Sequence, residues 1–174
     1  MATTYQAIAS QVLSSTAASV TLSSIPNTYT DLVLKISSRT NQAGLYDTIS
    51  YTVNGNTGNI YSYTLLRGNG SAASSTNLTA TQPGFMQLGA DGNNATASTF
   101  GIAELYIPNY TASTNKQFAY TGASETNAAT GVWVATSGML TQTTAAISSI
   151  TLSMLLGTAF LAGSRFDLYG ITHI

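Results

Sequence analysis

Short segments in which apolar and polar residues alternate dominate this chain of 174 residues. In DLVLKISS, residues 31–38, the side chains of Leu32, Leu34 and Ile36 fall on one face, and most polar side chains fall on the other. A period of two residues is that of a β-strand with one buried face. The pattern therefore predicts a chain built mainly from half-buried strands.

Ten segments show this alternation. They are SVTLSSI, DLVLKISS, TISYTVN, YSYTLLRG, GFMQLG, TFGIAELYIP, KQFAYTGAS, GVWVATSGML, SITLSML and RFDLYGI. Between them lie stretches rich in Gly, Asn, Asp and Pro, residues that accept turn geometries. No stretch combines apolar residues at helical spacing with a capping residue over the length of a helix. We predict about nine to eleven strands and little or no helix.

These strands predict an all-β fold: one antiparallel β-sandwich domain, jelly-roll-like, over residues 1–174. Two packed sheets bury one face of each strand and leave few long edges. A chain of this length buries about 70 % of its unfolded surface around a single core. The stretch from Gly68 to Ala80 is rich in Ser, Ala and Thr, and this composition favours a flexible surface loop.

Charged residues are scarce, with 5 basic and 6 acidic side chains and a net charge of −1. Such a chain lacks the basic surface that neutralises phosphates, so we expect no nucleic-acid partner. Near-zero net charge also favours self-association, which suits a subunit of an ordered assembly.

Residues with catalytic or metal-binding potential are few. The chain has no Cys, and the one His is His173, close to the C-terminus, where backbones are rarely rigid enough for catalysis. The RGNG stretch at 67–70 is most simply a turn. The six carboxylates form no local cluster, which leaves only convergence of distant residues for a glycosidase pair or a metal site. We expect no enzymatic activity, no cofactor and no metal.

Neither a targeting signal nor a membrane span is predicted. The N-terminal MATTYQAIASQVLSS has no basic region followed by an apolar run, as a secretory signal would require. Residues 126–164 carry no charge, but polar residues and Gly interrupt them too often for a span of about 20 apolar residues.

Tyrosines are the most abundant aromatic residues, and Tyr46, Tyr51, Tyr61 and Tyr63 lie close together in the sequence. Tyr is a favoured strand residue, so cross-strand packing is the preferred interpretation. An exposed tyrosine platform for sugars is the alternative. Trp133 is expected in the core or at an interface.

The C-terminal RFDLYGI brings two opposite charges into an apolar segment. In a strand, Arg165 and Asp167 share one face, while Phe166 and Leu168 share the other. We therefore expect the two charges to pair with each other or with a neighbouring strand and to act in folding or assembly.

Three short motifs in this order, YTDLVL at 29–34, YIPNY at 106–110 and LYGI at 168–171, give the chain a resemblance to small virion structural proteins of tailed bacteriophages. The resemblance covers nearly the whole chain. It implies a β-sandwich or jelly-roll subunit on the particle, either a capsid decoration (cement) protein or a fibre-associated protein, and no enzyme. The absence of heptads and of a shaft repeat favours the decoration protein.

The resemblance carries over no binding residue, and the interface residues stay unassigned. Asp31, Glu104 and Asp167 are expected to belong to the scaffold. The expected partners are the major capsid protein and further copies of the chain, as a homotrimer on the capsid surface of the virion. A tail-fibre, receptor-binding or carbohydrate-binding module remains the alternative.

Overall fold

The computed structural model describes residues 5–128 and 131–172, which form twelve strands. In chain order they are β1 (Tyr5–Val12), β2 (Val20–Leu22), β3 (Asp31–Ser38), β4 (Tyr46–Val53), β5 (Tyr61–Gly68), β6 (Ala73–Thr81), β7 (Gly84–Asp91), β8 (Gly101–Ile107), β9 (Lys116–Glu125), β10 (Val132–Thr141), β11 (Ile150–Met154) and β12 (Arg165–Ile171). No described residue is helical. The predicted all-β class is confirmed.

The strands form two antiparallel sheets that pack face to face as a β-sandwich. The larger sheet has eight strands in the order β1-β12-β3-β8-β9-β10-β5-β6, and the smaller has four in the order β2-β11-β4-β7. The chain passes repeatedly between the sheets, as at β3 to β4, β7 to β8 and β10 to β11. Consecutive strands pair only in the meander β8-β9-β10 and the hairpin β5-β6.

One hydrophobic cluster fills the space between the sheets. The large sheet contributes side chains such as Leu34 and Leu105, and the small sheet contributes Ile49 and Leu152, all fully buried. The predicted core face of β3 is confirmed, since Leu32, Leu34 and Ile36 are buried. On the opposite face only Lys35 is exposed, because Asp31 and Val33 are buried as well, at 2 % exposure each. A β-strand buries alternate side chains when only one of its faces meets the core.

All ten predicted segments overlap a strand, but two strands were not predicted. These are β1 and β6, the two edge strands of the large sheet. The expectation of a flexible loop from Gly68 to Ala80 is wrong, because most of this stretch belongs to β6. Within RGNG, Arg67 and Gly68 end β5, and the turn that follows is closed by the Asn69 N–H, which donates to the Ala72 carbonyl at 3.2 Å.

A membrane-spanning helix is not found among residues 5–128 and 131–172. His173 lies outside the described residues.

Candidate functional surfaces

The charged pair of the last strand is joined directly, as expected. Arg165 Nε donates to Asp167 Oδ2 at 2.6 Å, and Ser10 Oγ of β1 donates to Asp167 Oδ1 at 2.6 Å. The hydrogen bond to Asp167 raises the pKa of Arg165 above its usual value. Asp167 therefore links edge strand β1 to β12, which is a structural role.

Two other carboxylates hold backbone groups at strand ends. Asp47 is fully buried and accepts hydrogen bonds from Thr40 Oγ1 and from the backbone N–H groups of Thr48, Leu156 and Gly157, at 2.7 to 3.1 Å. These bonds attach the segment after β11 to the start of β4. Asp47 thus has its acceptor positions filled by the fold itself.

Glu125, the last residue of β9, holds the loop between β7 and β8. It accepts hydrogen bonds from the backbone N–H groups of Thr96 and Asn127 and from Thr96 Oγ1. Desolvation by burial raises its pKa, but these hydrogen bonds outweigh it, so the pKa of Glu125 lies below its usual value. Glu125 is therefore an ionised anchor of this loop.

Asp91, at the end of β7, is the exception among the carboxylates. It is 1 % exposed, and its Oδ1 atom has no hydrogen-bond partner among the described residues. Burial raises the pKa of Asp91, and the nearby charge of Glu125 raises it further. Hydrogen bonds of Thr99, Ser124 and the Glu125 backbone lower the pKa but are outweighed, so it stays above its usual value. Burial thus favours the neutral form of this carboxyl.

Two buried cations are held by backbone carbonyls. The Arg39 guanidinium donates, at 2.7 to 3.2 Å, to the carbonyl oxygens of Asn93, Ala95, Thr96 and Thr99. Lys116 Nζ donates to the carbonyls of Ala112, Thr114 and Thr143, and burial lowers the pKa of Lys116. Both side chains fix loops, because each joins several carbonyls that would otherwise lack donors.

The predicted tyrosine cluster is mostly core. Tyr51, Tyr61 and Tyr63 are buried at 1 %, 0 % and 6 % exposure, so they form cross-strand packing and no exposed platform for sugars. Burial strongly raises the pKa of Tyr51. Tyr46 is half-buried and packs on Trp133 with ring centroids 5.0 Å apart.

The three sequence motifs YTDLVL, YIPNY and LYGI meet at one end of the large sheet. Tyr106 Oη of YIPNY donates to Asp31 Oδ2 of YTDLVL at 2.6 Å, and the Asn109 N–H donates to Asp31 Oδ1 at 2.9 Å. The hydrogen bond to Asp31 is the main cause that raises the pKa of Tyr106 to about 12. The Thr30 N–H donates to the Ile171 carbonyl of LYGI at 2.8 Å.

Packing joins the same motifs a second time. A Cβ atom at Gly170 would lie 2.3 Å from Cγ of Tyr29, so the tyrosine ring lies directly over the glycine. Tyr110 Oη donates to the Pro26 carbonyl and accepts from the Tyr29 N–H at 3.4 Å. The motifs are therefore a packing signature of the fold, and none of these contacts leaves a group directed at a ligand.

The outer face of the large sheet divides into a charged half and an uncharged half. Lys35 of β3 pairs with Glu104 of β8 at 3.2 Å, in line with Asp167 of β12. The residues of β10, β5 and β6 are all described, and no outward side chain on these strands is charged. The outer surface formed by β10, β5 and β6 therefore has no charged side chain that a partner would have to desolvate on binding.

Large apolar side chains are exposed on β5 and β10 and on the nearby β8. Two carboxylates border them, because Glu104 lies two residues from Ile102 on the same face of β8 and Glu125 lies opposite Val132. Leu66, Ile102, Val132 and Val134 are 57 %, 59 %, 52 % and 49 % exposed. Together with Ala123, which lies opposite both Ile102 and Val134 in the sheet register, we call them the apolar face. Two shallow hollows of about 580 and 560 Å³ lie on it, and Thr121 and Val134 line both. The lining of the first also includes Arg67, and that of the second includes the Lys35–Glu104 pair. Contiguous exposed apolar surface is a recognised mark of an interaction site.

The edge strand β6 borders this face. Eight of its nine residues are exposed, and its sequence ASSTNLTAT contains neither a charge nor a proline. Natural edge strands are usually protected by such residues, because an edge offers unpaired N–H and C=O groups to another strand. β6 is therefore a second surface suited to association.

Comparisons with protein-family models, with curated proteins and with solved structures find no match. The surfaces themselves were not predicted, because the sequence does not show which strands are neighbours. Exposed Leu66 and Val134 have apolar neighbours in the sequence, Leu65 for the first and Trp133 and Ala135 for the second, so the sequence does not show which of these side chains faces the core. The one available signal was the long charge-free stretch between Glu125 and Arg165, which contains all of β10.

Proposed function

We propose that this protein is a virion structural protein of a tailed bacteriophage, a decoration (cement) protein that binds the outer capsid shell through the apolar face. The observation that carries the proposal is the exposure of Leu66, Val132 and Val134 on strands β5 and β10, whose outward side chains carry no charge, together with that of Ile102 on the nearby β8. The resemblance of the three motifs to phage virion proteins supports the choice of partner, the major capsid protein.

The chemistry of the apolar face suits attachment across capsomer boundaries. Burial of apolar surface contributes about 25 cal/mol per Å², and no outward ion of β10, β5 or β6 has to leave water, which often costs more than ion pairing returns. Each single contact can be weak, because many copies attached to one shell add their effects. Such a protein would stabilise the shell by bridging its subunits.

We further propose that the protein acts as a homotrimer on the capsid surface. The two uncovered edges of the large sheet, β1 and β6, differ in sequence. Pairing β6 of one copy with β1 of the next is a contact between unlike surfaces, which closes into a ring when the rotation fits. A ring of three would cover every edge of the three large sheets.

A non-enzymatic role agrees with how the ionisable groups are used. Five of the six carboxylates are bound to backbone groups or side chains of the fold, and the sixth, Asp91, is buried. No group of three or more His, Cys, Asp or Glu residues comes together in residues 5–128 and 131–172. The second candidate, a receptor- or carbohydrate-binding module, is favoured by the half-buried Tyr46–Trp133 pair.

The test is co-sedimentation of the purified protein with shells of its own phage that lack it, followed by heating of the shells or transfer to low salt. Binding in many copies with increased shell stability supports the decoration protein. Absence of binding by a protein that is folded by circular dichroism contradicts it and directs attention to a glycan array.

A further inference from the structure

Arg67 forms no ion pair with a carboxylate among the described residues. All five basic residues lie in the described part of the chain, and carboxylates or sets of carbonyls accept hydrogen bonds from four of them: Lys35, Arg165, Arg39 and Lys116. Arg67 has one contact within residues 5–128 and 131–172, from Nη1 to Tyr46 Oη at 3.5 Å. Most of the five N–H donors of its guanidinium are thus available.

Arg67 lies in a cleft on the open side of the sandwich. In the register of β5, Arg67 is opposite Ala135 of β10, which is 2 % exposed, so its side chain points towards the small sheet. The cleft lies between the two edge strands β6 and β7 and has a volume of about 320 Å³. Its lining residues are Leu65, Arg67, Ser74, Ser75, Thr76 and Gln87.

The size and lining of the cleft limit what it can bind. Its volume is at the lower end of the range for small-molecule sites, about 300 to 1,000 Å³. None of its lining residues is acidic, so an anion would meet no like charge there. One half-buried guanidinium matches one carboxylate, whose two oxygens accept two parallel hydrogen bonds from the planar fork.

The neighbours of Arg67 suit the rest of a sugar ring. Ser74 and Thr76 of β6 lie opposite Arg67 and Leu65 in the hairpin register, so their hydroxyls point into the cleft. Gln87 adds a side-chain amide from β7. Tyr46, which contacts the guanidinium, packs on Trp133 with ring centroids 5.0 Å apart.

We propose that this cleft, which we call the Arg67 cleft, binds an acidic sugar, with the Arg67 guanidinium holding the sugar carboxylate. Ser74, Thr76 and Gln87 bind its hydroxyl groups, and Tyr46, which lies outside the lining of the cleft, contacts the guanidinium. The cleft opens between the two sheets, whereas the apolar face is the outer surface of one. The two are adjacent, because Arg67, Ser74 and Ser75 line both the cleft and the larger hollow of the apolar face. A decoration protein with this cleft would add glycan binding to shell attachment.

The test is a titration of the isotope-labelled protein with sodium glucuronate and with N-acetylneuraminate, followed by nuclear magnetic resonance. Glucose and inorganic phosphate are titrated in parallel. We expect binding at millimolar concentrations, with shifts confined to the backbone amides of β5, β6 and β7 around the cleft. The Arg67→Gln and Arg67→Lys variants should each bind about tenfold more weakly or worse, because lysine keeps the charge but loses the fork.

The control variant is Lys35→Gln, which removes the same charge from the outer face of the same sheet and should bind like the parent protein. Absence of binding by the folded parent overturns the proposal. Equal binding of glucose, stronger binding of phosphate, or unchanged binding by Arg67→Gln does so as well. Co-sedimentation of Arg67→Gln with shells distinguishes sugar binding from shell attachment. This variant should still bind shells, since the exposed side chains of the apolar face are unchanged in it.

Discussion

The hydroxyl of Tyr106 lies 2.6 Å from Oδ2 of Asp31 and joins β8 to the first residue of β3. Asp31 is 2 % exposed, and its other oxygen accepts the Asn109 N–H at 2.9 Å. The contact connects two of the three sequence motifs on which the resemblance to phage virion proteins rests. It explains why YTDLVL and YIPNY occur together without a ligand: a buried carboxylate needs several donors.

Removing this hydroxyl should destabilise the protein. We expect Tyr106→Phe to lower the free energy of unfolding by about 1–2 kcal/mol, because a buried carboxylate loses one of its donors. For a chain of this length this corresponds to a melting temperature lower by about 2–8 °C, measured by circular dichroism. Tyr5→Phe is the matched control, since Tyr5 is 49 % exposed, and it should melt like the parent.

The same contact predicts a pH dependence. The pKa of Tyr106 is raised to about 12 in the folded protein, against about 10 for an unperturbed tyrosine. This stability is therefore fully present below pH 10 and is lost as the pH rises towards 12. Tyr106→Phe should lose less stability than the parent between pH 10 and 12. An identical loss in both proteins would contradict the role given to this hydroxyl.

The link between β1 and β12 should depend on the charge of Asp167. We expect Asp167→Asn to lower the unfolding free energy by about 1 kcal/mol, and the melting temperature by about 2–4 °C. The effect is modest because the Arg165 side chain is 55 % exposed and water screens the pair. Glu104→Gln is the control, since the exposed pair of Lys35 and Glu104 should contribute less. A variant Asp167→Asn that melts and assembles like the parent would remove the structural role.

Substitution of the buried Asp91 should raise the free energy of unfolding, whereas the substitutions above lower it. Burial raises its pKa, so this group favours the folded state below the pKa of about 3.9 of an unfolded aspartate. That contribution is lost as the pH rises through the raised value. We expect Asp91→Asn to be more stable than the parent at pH 7, by about 1 kcal/mol, with a smaller difference in acid, as measured by denaturant unfolding.

The control for this substitution is Asp47→Asn. Asp47 is as deeply buried as Asp91 but accepts four hydrogen bonds, so the same change there should destabilise the protein. If both variants lose stability at pH 7, Asp91 is ionised and its hydrogen bonds with Thr99, Ser124 and the Glu125 backbone outweigh the effect of burial.

Alternation in the sequence predicts a strand only where the strand buries one face and exposes the other. The strand β3 was predicted because Leu32, Leu34 and Ile36 meet the core while Lys35 meets water. The strands β1 and β6 were missed because they are edges of the large sheet and expose most of both faces. An edge strand such as ASSTNLTAT shows no alternation, since no core selects one set of its side chains.

The candidate surfaces were beyond prediction for a related reason. Tyr46, Arg67 and Trp133 come from β4, β5 and β10, which belong to two different sheets. Their proximity depends on strand order and register, which alternation alone does not specify. The pairing of Arg165 with Asp167 could be predicted, because both residues lie on one face of one strand.

The edge strand β6, which has neither a charge nor a proline to protect it, predicts that the protein associates in solution. We expect a trimer in sedimentation velocity, and we expect Asn77→Lys to shift it towards the monomer, because a charge on an edge strand opposes strand pairing. Gln117→Lys adds the same charge to β9, inside the sheet, and should leave the trimer intact. A parent protein that sediments as a monomer at high concentration contradicts the trimer.

The most direct test of shell attachment compares three proteins in co-sedimentation with shells that lack the protein. Val134→Glu places a charge in the centre of the apolar face, whereas Leu156→Glu alters an equally exposed leucine in the segment after β11. We predict that the parent and Leu156→Glu bind in many copies per shell and that Val134→Glu does not. If the folded parent fails to bind, or if Val134→Glu binds as well as the parent, shell attachment through the apolar face is wrong.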